Sequence, residues 1–368
     1  MINKERLLTR FLDYVQIDSE SRNEASMAQR LVEDMKAIGC EVYVDNTMDK
    51  TGSNTGNVYA TLPGTAEGEP IVLCAHMDTV IPGNGVKPVV EDGIVRSSGD
   101  TVLGADDKSG VAAIVEGMYT VVEQNIPHPT IQAVFTVCEE VGLFGSRYLE
   151  YDRIAGKKAA VLDSGTPGAI VTAGPGQYKF HVEVIGRKAH AGVAPEKGVS
   201  AIQVLCEAIS NMKQLRIDPE TTANIGAIHA DYPTNIVAER ATMQAECRSR
   251  DAAKLEAQAK HMEDCLKLAC EKYGAELKLE RVRSYDPYCH DENDPFIQEM
   301  CQTMSAVGLT PKLIPGGGGS DVNNMVQRGM VALMIGTGMS KVHTTEEFIR
   351  IDNLENTAEL VLKLITAK

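Results

Sequence analysis

Hydrophobic positions along this chain fall into two rhythms. Leu7, Leu8, Phe11, Leu12 and Val15 recur at helical spacing, as do Met27, Leu31, Met35 and Ile38. They predict amphipathic helices over 4–17 and 25–38, the second stopped by Gly39. Extended patterns follow at 41–45 and 57–62, parted by a Gly/Asn/Thr-rich turn, and then at 71–75. The last is apolar throughout, as a strand covered on both faces would be. Residues 79–104 lack periodicity and are rich in Gly and Pro. They predict a long loop with a hairpin near Val90–Val95 that turns at Asp92-Gly93. An apolar helix over 109–123, a β-rich run over 130–137, a helix near 145–150 and a strand over 158–162 come next. Such alternation of apolar strands and helices predicts an α/β fold with a wound, mostly parallel sheet.

The order changes after Ala173-Gly174-Pro175-Gly176. The pattern reads strand 177–185, helix 198–215, strands 223–230 and 240–249, helix 252–273 and strand 276–283. This β-α-β-β-α-β order is that of a ferredoxin-like α+β unit. Helix–strand alternation then resumes, with a helix over 294–307, strands at 312–314 and 331–335, and helices over 321–327 and 353–366. A domain at 176–292 is therefore expected to be inserted into a discontinuous domain formed by 1–175 and 293–368.

Composition narrows the class. At 368 residues the chain exceeds one ordinary core. Apolar residues at 43% and charged residues at 24% are those of a globular protein. A net charge of −15 disfavours nucleic acid and anionic membrane as partners, since both require basic patches. Trp is absent, so the core must be aliphatic, with Met filling gaps. The nine cysteines show no Cys-x-x-Cys pair, and Cys74 and Cys138 lie within apolar runs. Free thiols in a reducing compartment are expected. There is no apolar signal core and no window of about 18 apolar residues. A cytoplasmic protein is the reading.

The candidate chemistry sits where elements meet. His76 and Asp78 end the 71–75 strand, and Asp106 precedes the 109–123 helix. Glu139 and Glu140 follow the 130–137 run, Asp163 follows 158–162, and His343 lies in a loop after 331–335. Each has an ordinary alternative: a helix cap for Asp106-Asp107, a solvated loop for Glu139-Glu140, a turn for Asp163, a surface loop for His343. Strand ends of one parallel sheet share an edge, however. Imidazoles and carboxylates gathered there would cost several kcal/mol in desolvation without cations. Mixed N/O ligation suits zinc, with manganese or cobalt as substitutes. The number of carboxylates fits two metal ions better than one tetrahedral ion. The run Gly316–Gly319 lacks the Lys-Ser/Thr of a phosphate loop, so no nucleotide site is expected. Its glycines would let backbone approach a substrate or a neighbouring loop.

Ala75-His76-Met77-Asp78-Thr79, Gly104-Ala105-Asp106-Asp107-Lys108-Ser109-Gly110, Glu139-Glu140-Val141-Gly142, Leu162-Asp163-Ser164-Gly165 and Val342-His343 together resemble the metal-site motifs of the di-zinc exopeptidase family. The likeness extends over nearly the whole chain, including the inserted lid or dimerisation domain. It implies one metal on His76, Asp106 and Asp163, and another on Asp106, Glu140 and His343, with Asp106 bridging and followed by a cis peptide. It implies that Asp78 orients His76 and that Glu139 is the general base for a metal-activated water. His190, Asn235 and Arg248 resemble the family's substrate-contacting lid residues. His190 would aid the oxyanion, from the same chain or a partner, and Arg248 would hold a substrate carboxylate. Aspartate at position 163 resembles the aminopeptidase branch, and the His76-Met-Asp-Thr wording resembles its tripeptidase T-like members. The expectation is thus an aminopeptidase for short peptides, with homodimerisation through the inserted domain. An N-acyl-amino-acid amidohydrolase or carboxypeptidase-type deacylase is the alternative. A non-catalytic metal-binding protein is a third reading, opposed by the intact Glu139.

Overall fold

The structure is a computed structural model describing residues 1–366. It divides into two compact units. The first comprises Met1–Thr172, His290–Gly316 and the chain from Ser320 onward; the second comprises Ala173–Cys289 with Gly317–Gly319.

The first unit is built on a mixed sheet. Four neighbouring strands, Ile131–Thr136, Ile71–His76, Lys158–Ser164 and Val331–Gly336, are parallel in that spatial order. Val58–Leu62 and Glu41–Val44 extend it antiparallel on one side, and Ala169–Gly174 pairs antiparallel on the other. The Ile71–His76 and Ile131–Thr136 strands are buried at every residue, which explains their unbroken apolar runs. Helix Ala105–Glu123 is buried along nearly its whole length and packs against Lys4–Val15 and Ile351–Ile365. Its core is aliphatic and methionine-rich, with Met27, Met35, Met77, Met118, Met300 and Met304 all buried.

The second unit is a five-stranded antiparallel sheet. Its order is Leu215–Arg216, Thr221–His229, Arg240–Ser249, Gly176–Ile185, Glu276–Tyr285. Helices Ala201–Asn211 and Ala252–Tyr273 pack on it, completing the ferredoxin-like order. Asp251 caps the longer helix by accepting from the Ala253 and Lys254 N–H groups, and Gly274 ends it in a left-handed turn.

Several elements differ from the pattern reading. The helix expected over 198–215 is confined to Ala201–Asn211, because Pro195–Lys197 forms a separate 3-10 turn and Leu215–Arg216 joins the sheet. The segment near 145–150 holds only the single turn Phe144–Arg147, followed by a 3-10 turn at Tyr151–Arg153. The strand Ala169–Gly174, an apolar run that follows Asp163 after a short Gly/Pro turn, was not among the expected elements. The expected hairpin is present as Pro88–Glu91 and Ile94–Ser97. Of the glycines near 316, Gly319 lies against a neighbour: a Cβ there would sit 2.3 Å from the Tyr285 ring.

Candidate metal centre

The parallel strands end on one edge and place the predicted residues there. Cys74 is level with Val161 in the sheet, so His76 and Asp163, each two residues further on, leave it side by side. Thr136 is level with His76, and the chain turns after it into Glu139 and Glu140. Asp106 arrives from another direction, at the start of its helix. Asp106 and Asp107 are joined by a cis peptide and have non-helical dihedrals. His343 enters from the loop after Val331–Gly336.

Asp106 lies between two imidazoles and offers one oxygen to each. His76 Nε2 is 3.0 Å from Asp106 Oδ1, and His343 Nε2 is 3.3 Å from Asp106 Oδ2. His343 Nε2 is also 3.0 Å from Glu140 Oε2, and His76 Nε2 is 3.8 Å from Asp163 Oδ1. Ligand atoms of His76, Asp106 and Glu140 fall within 4.8 Å of one another. Thus the structure brings His76, Asp106, Asp163, Glu140 and His343 into one cluster.

Asp78 acts on His76 through its main chain. His76 Nδ1 lies 2.9 Å from the Asp78 carbonyl oxygen, so Nδ1 carries the proton and Nε2 is free to face Asp106. The Asp78 carboxylate is 3.5 Å from Nδ1 and is engaged elsewhere. It accepts from the Glu139 N–H (2.9 Å), the Glu140 N–H (3.2 Å) and the Ser21 hydroxyl (2.6 Å). It therefore fixes the turn that bears the two glutamates.

Charge in the cluster is unbalanced. Burial, then repulsion from Asp163, pushes the Glu139 carboxyl well above the usual range. Burial and Asp106 do the same to Asp163. Burial also raises Glu140, against a hydrogen bond from His343. For Asp106 burial is outweighed by hydrogen bonds from His343 and His76, which hold it below the carboxylate range. The same contacts, with Asp106 first and then Glu140, lift His343 to about 10. The ion pairs of these carboxylates are with histidines alone among the described residues. Buried carboxyls that raise one another's pKa, facing two imidazole nitrogens, are a donor set suited to divalent cations.

Four buried residues around the cluster had not been singled out. Glu347, 1% exposed, accepts from the Gly104 N–H (2.7 Å) and the Asp106 N–H (3.0 Å), tying the His343 loop to the Asp106 turn. Burial raises it to about 7. Lys108 donates to the Ile17 carbonyl at 2.7 Å, and burial lowers it to about 7. Glu24 and Asn57 reach the turn after Thr136. An acid at a helix start reads from sequence as a cap, which concealed Glu24. Glu347 stood in a Glu-Glu pair that reads as solvated surface.

The lid residues lie in the second unit. His190 and Asn235 are exposed and adjacent: His190 forms an isolated bridge with Ile236, and the Asn235 carbonyl accepts from the Ala191 N–H at 2.9 Å. Arg248 is half-buried on its strand and makes two bonds to Glu246, at 2.8 and 3.1 Å.

Comparison with known proteins gives the family. Residues 57–169 match the peptidase family M28, and residues 173–274 match the peptidase dimerisation domain. The crystal structure of aminopeptidase PepT from Bacillus cereus is 42% identical, with a TM-score of 0.90 over 99% of this chain and 98% of that one. The chain belongs to the peptidase T-like exopeptidase family. The crystal structure of a tripeptidase from Staphylococcus aureus is 38% identical, with a TM-score of 0.95 and the same coverage. An uncharacterized protein of Bacillus subtilis, YqjE, is 41% identical over 99% of both chains. Membership makes the chain a metal-dependent hydrolase of peptides, on the mixed, mostly parallel sheet that its sequence predicted. No helix among the described residues is long and apolar enough to cross a membrane.

Metal uptake should be coupled to protons. Without metal, burial raises the Asp163 and Glu140 carboxyls and His343 is lifted to about 10, so that His343 holds a proton at neutral pH, while the ligand forms are deprotonated. Loading metal-stripped protein is therefore expected to release protons, and apparent affinity should rise with pH up to about 10, where His343 gives up its proton without metal. Calorimetry in buffers of different ionisation enthalpy measures this. Equal heats in all buffers would contradict the assignment.

Proposed function

We propose that this peptidase removes the N-terminal residue from short peptides, tripeptides foremost, using two divalent metal ions. The observation that carries this reading is Asp106, with one carboxylate oxygen toward His76 and the other toward His343. His76, Asp106 and Asp163 would hold one ion, and Asp106, Glu140 and His343 the other. Zinc fits the mixed N/O donors, and manganese or cobalt would substitute. When bound, the ions supply electrophilic polarisation of the scissile carbonyl and acidify water.

The chain's own residues do the rest. Glu139 takes the proton of the attacking water and returns it to the leaving amine. Its turn is fixed on Asp78, so the carboxyl is presented from a defined position. Asp78 also sets the His76 tautomer through its carbonyl. His190, Asn235 and Arg248 would serve substrate recognition, Arg248 by exchanging Glu246 for a substrate carboxylate. The match to a peptidase dimerisation domain supports a homodimer formed through the inserted unit. The nine cysteines are all unbonded, which supports a reducing, cytoplasmic setting.

A panel of free-amino and N-blocked peptides tests the substrate class. Free tripeptides should be cleaved fastest, and activity lost on chelation should return with zinc, manganese or cobalt. Preference for the blocked set would instead establish the amidohydrolase or carboxypeptidase-type alternative.

A further inference from the structure

Four consecutive main-chain N–H groups after the Ile131–Thr136 strand donate to side chains. Val137 donates to Asn57 Oδ1 at 3.1 Å, and Cys138 to Glu24 Oε1 at 3.0 Å. Glu139 and Glu140 donate to the two oxygens of Asp78. The chain has left the sheet at this point and has no neighbouring strand to bond. It also takes an uncommon conformation, because Cys138 has φ +53° without being glycine. A side chain in the left-handed region costs roughly 1–2 kcal/mol, so the surroundings must hold it there. The turn is closed from the other side by tight packing: a Cβ on Gly145 would fall 2.2 Å from the Val137 carbonyl oxygen and 2.8 Å from Asn57 Oδ1.

Glu24 is the unexpected member of this cradle. It is fully buried and stands at the N-cap of helix Ala25–Ile38, where an acid ordinarily accepts from its own helix. Here its side chain makes no cap bond. One oxygen takes the Cys138 N–H and lies 3.4 Å from the Cys138 thiol; the other takes the Ser53 hydroxyl at 2.5 Å. The residue gives up the local bond and spends a buried carboxyl on the peptide just before Glu139.

We infer that Glu24 is a positioning residue for Glu139, acting through the Cys138 N–H to set the turn from which that carboxyl is presented. This rests on Glu139 being the general base. The acceptor, and not the charge, does the positioning. Glutamine keeps an oxygen for the Cys138 N–H, and its amide can donate to Ser53 after the hydroxyl rotates. Aspartate keeps the charge and withdraws the oxygen by one methylene.

The test compares metal-loaded Glu24→Gln, Glu24→Asp and Glu139→Gln enzymes for kcat, KM, metal content and melting temperature. Glu24→Gln should retain kcat within about threefold. Glu24→Asp should lose roughly 10- to 100-fold in kcat, the scale of effect an ångström of misplacement has, with KM and metal content near wild type. Equal or greater loss in Glu24→Gln than in Glu24→Asp overturns the inference, because charge would then be what matters. So does a Glu24→Asp enzyme that melts lower but keeps full kcat, which is a structural role only. Turnover by Glu139→Gln reports separately that the base assignment has failed, whatever the order of the Glu24 variants.

Discussion

Glu139→Gln is expected to bind its full complement of metal and to cleave short peptides about 10²–10⁴-fold more slowly, the range that proton transfer by a positioned group contributes. The substitution is isosteric, and the bonds that fix the turn are not touched. Asp78 accepts from the main-chain N–H of Glu139, and Glu24 from that of Cys138. The proposed metal ligand is the next residue, Glu140, which lies 3.0 Å from His343 Nε2. Removing the carboxyl also removes a repulsive neighbour of Asp163. A carboxyl whose folded pKa exceeds its unfolded value loses stability as pH rises through that interval, and glutamine has no such loss. Metal-free Glu139→Gln should therefore melt no lower than metal-free wild type at neutral pH. Metal analysis, kcat on a free tripeptide and a melting curve suffice. Wild-type kcat in the metal-loaded variant would remove Glu139 from the mechanism.

Much of this arrangement was legible in the chain because apolar periodicity encodes faces and ends. The unbroken run Ile71–Ala75 reads as a strand covered on both sides, and the observed strand ends at His76. The same holds for Ile131–Thr136 before the two glutamates. Parallel pairing then carries His76, Asp163 and the Glu139 turn to one edge. What periodicity does not encode is the choice of partner among polar atoms. Asp78 at i+2 from His76 predicted a carboxylate–imidazole bond, yet the main-chain carbonyl is nearer, at 2.9 Å. Its carboxylate is taken by N–H donors some sixty residues downstream, at Glu139 and Glu140. Glu24 and Glu347 are hidden for the same reason. Each serves a backbone donor more than a hundred residues away, Cys138 and Asp106 respectively, with a local pattern that reads as an exposed acid. The helix read from 109 is regular only beyond Asp107, because Asp106 and Asp107 have non-helical dihedrals within Ala105–Glu123.

Loss of Asp106 should empty the centre, whereas loss of His343 should empty half of it. The reason is geometric. Asp106 Oδ1 faces His76 and Oδ2 faces His343, so one side chain serves both halves. Among the described residues His343 forms ion pairs with Glu140 and Asp106 alone, and it is about half exposed. Asp106→Ala is expected to weaken both ions by about 100-fold or more, at the upper end of what altering a supporting partner does. His343→Ala should retain one ion per chain on His76, Asp106 and Asp163. The Asp106 backbone should stay in place, because Glu347 accepts its N–H and that of Gly104. Alanine also takes a buried acid away from Asp163 and Glu140, whose pKa values Asp106 raises. The metal-free variant should accordingly fold, and near-zero metal content cannot then be ascribed to a collapsed site. Metal-to-protein ratios after passage over a chelating resin distinguish the two variants. Two tightly held ions in Asp106→Ala would show that the bridge is not where the carboxylate's two oxygens place it.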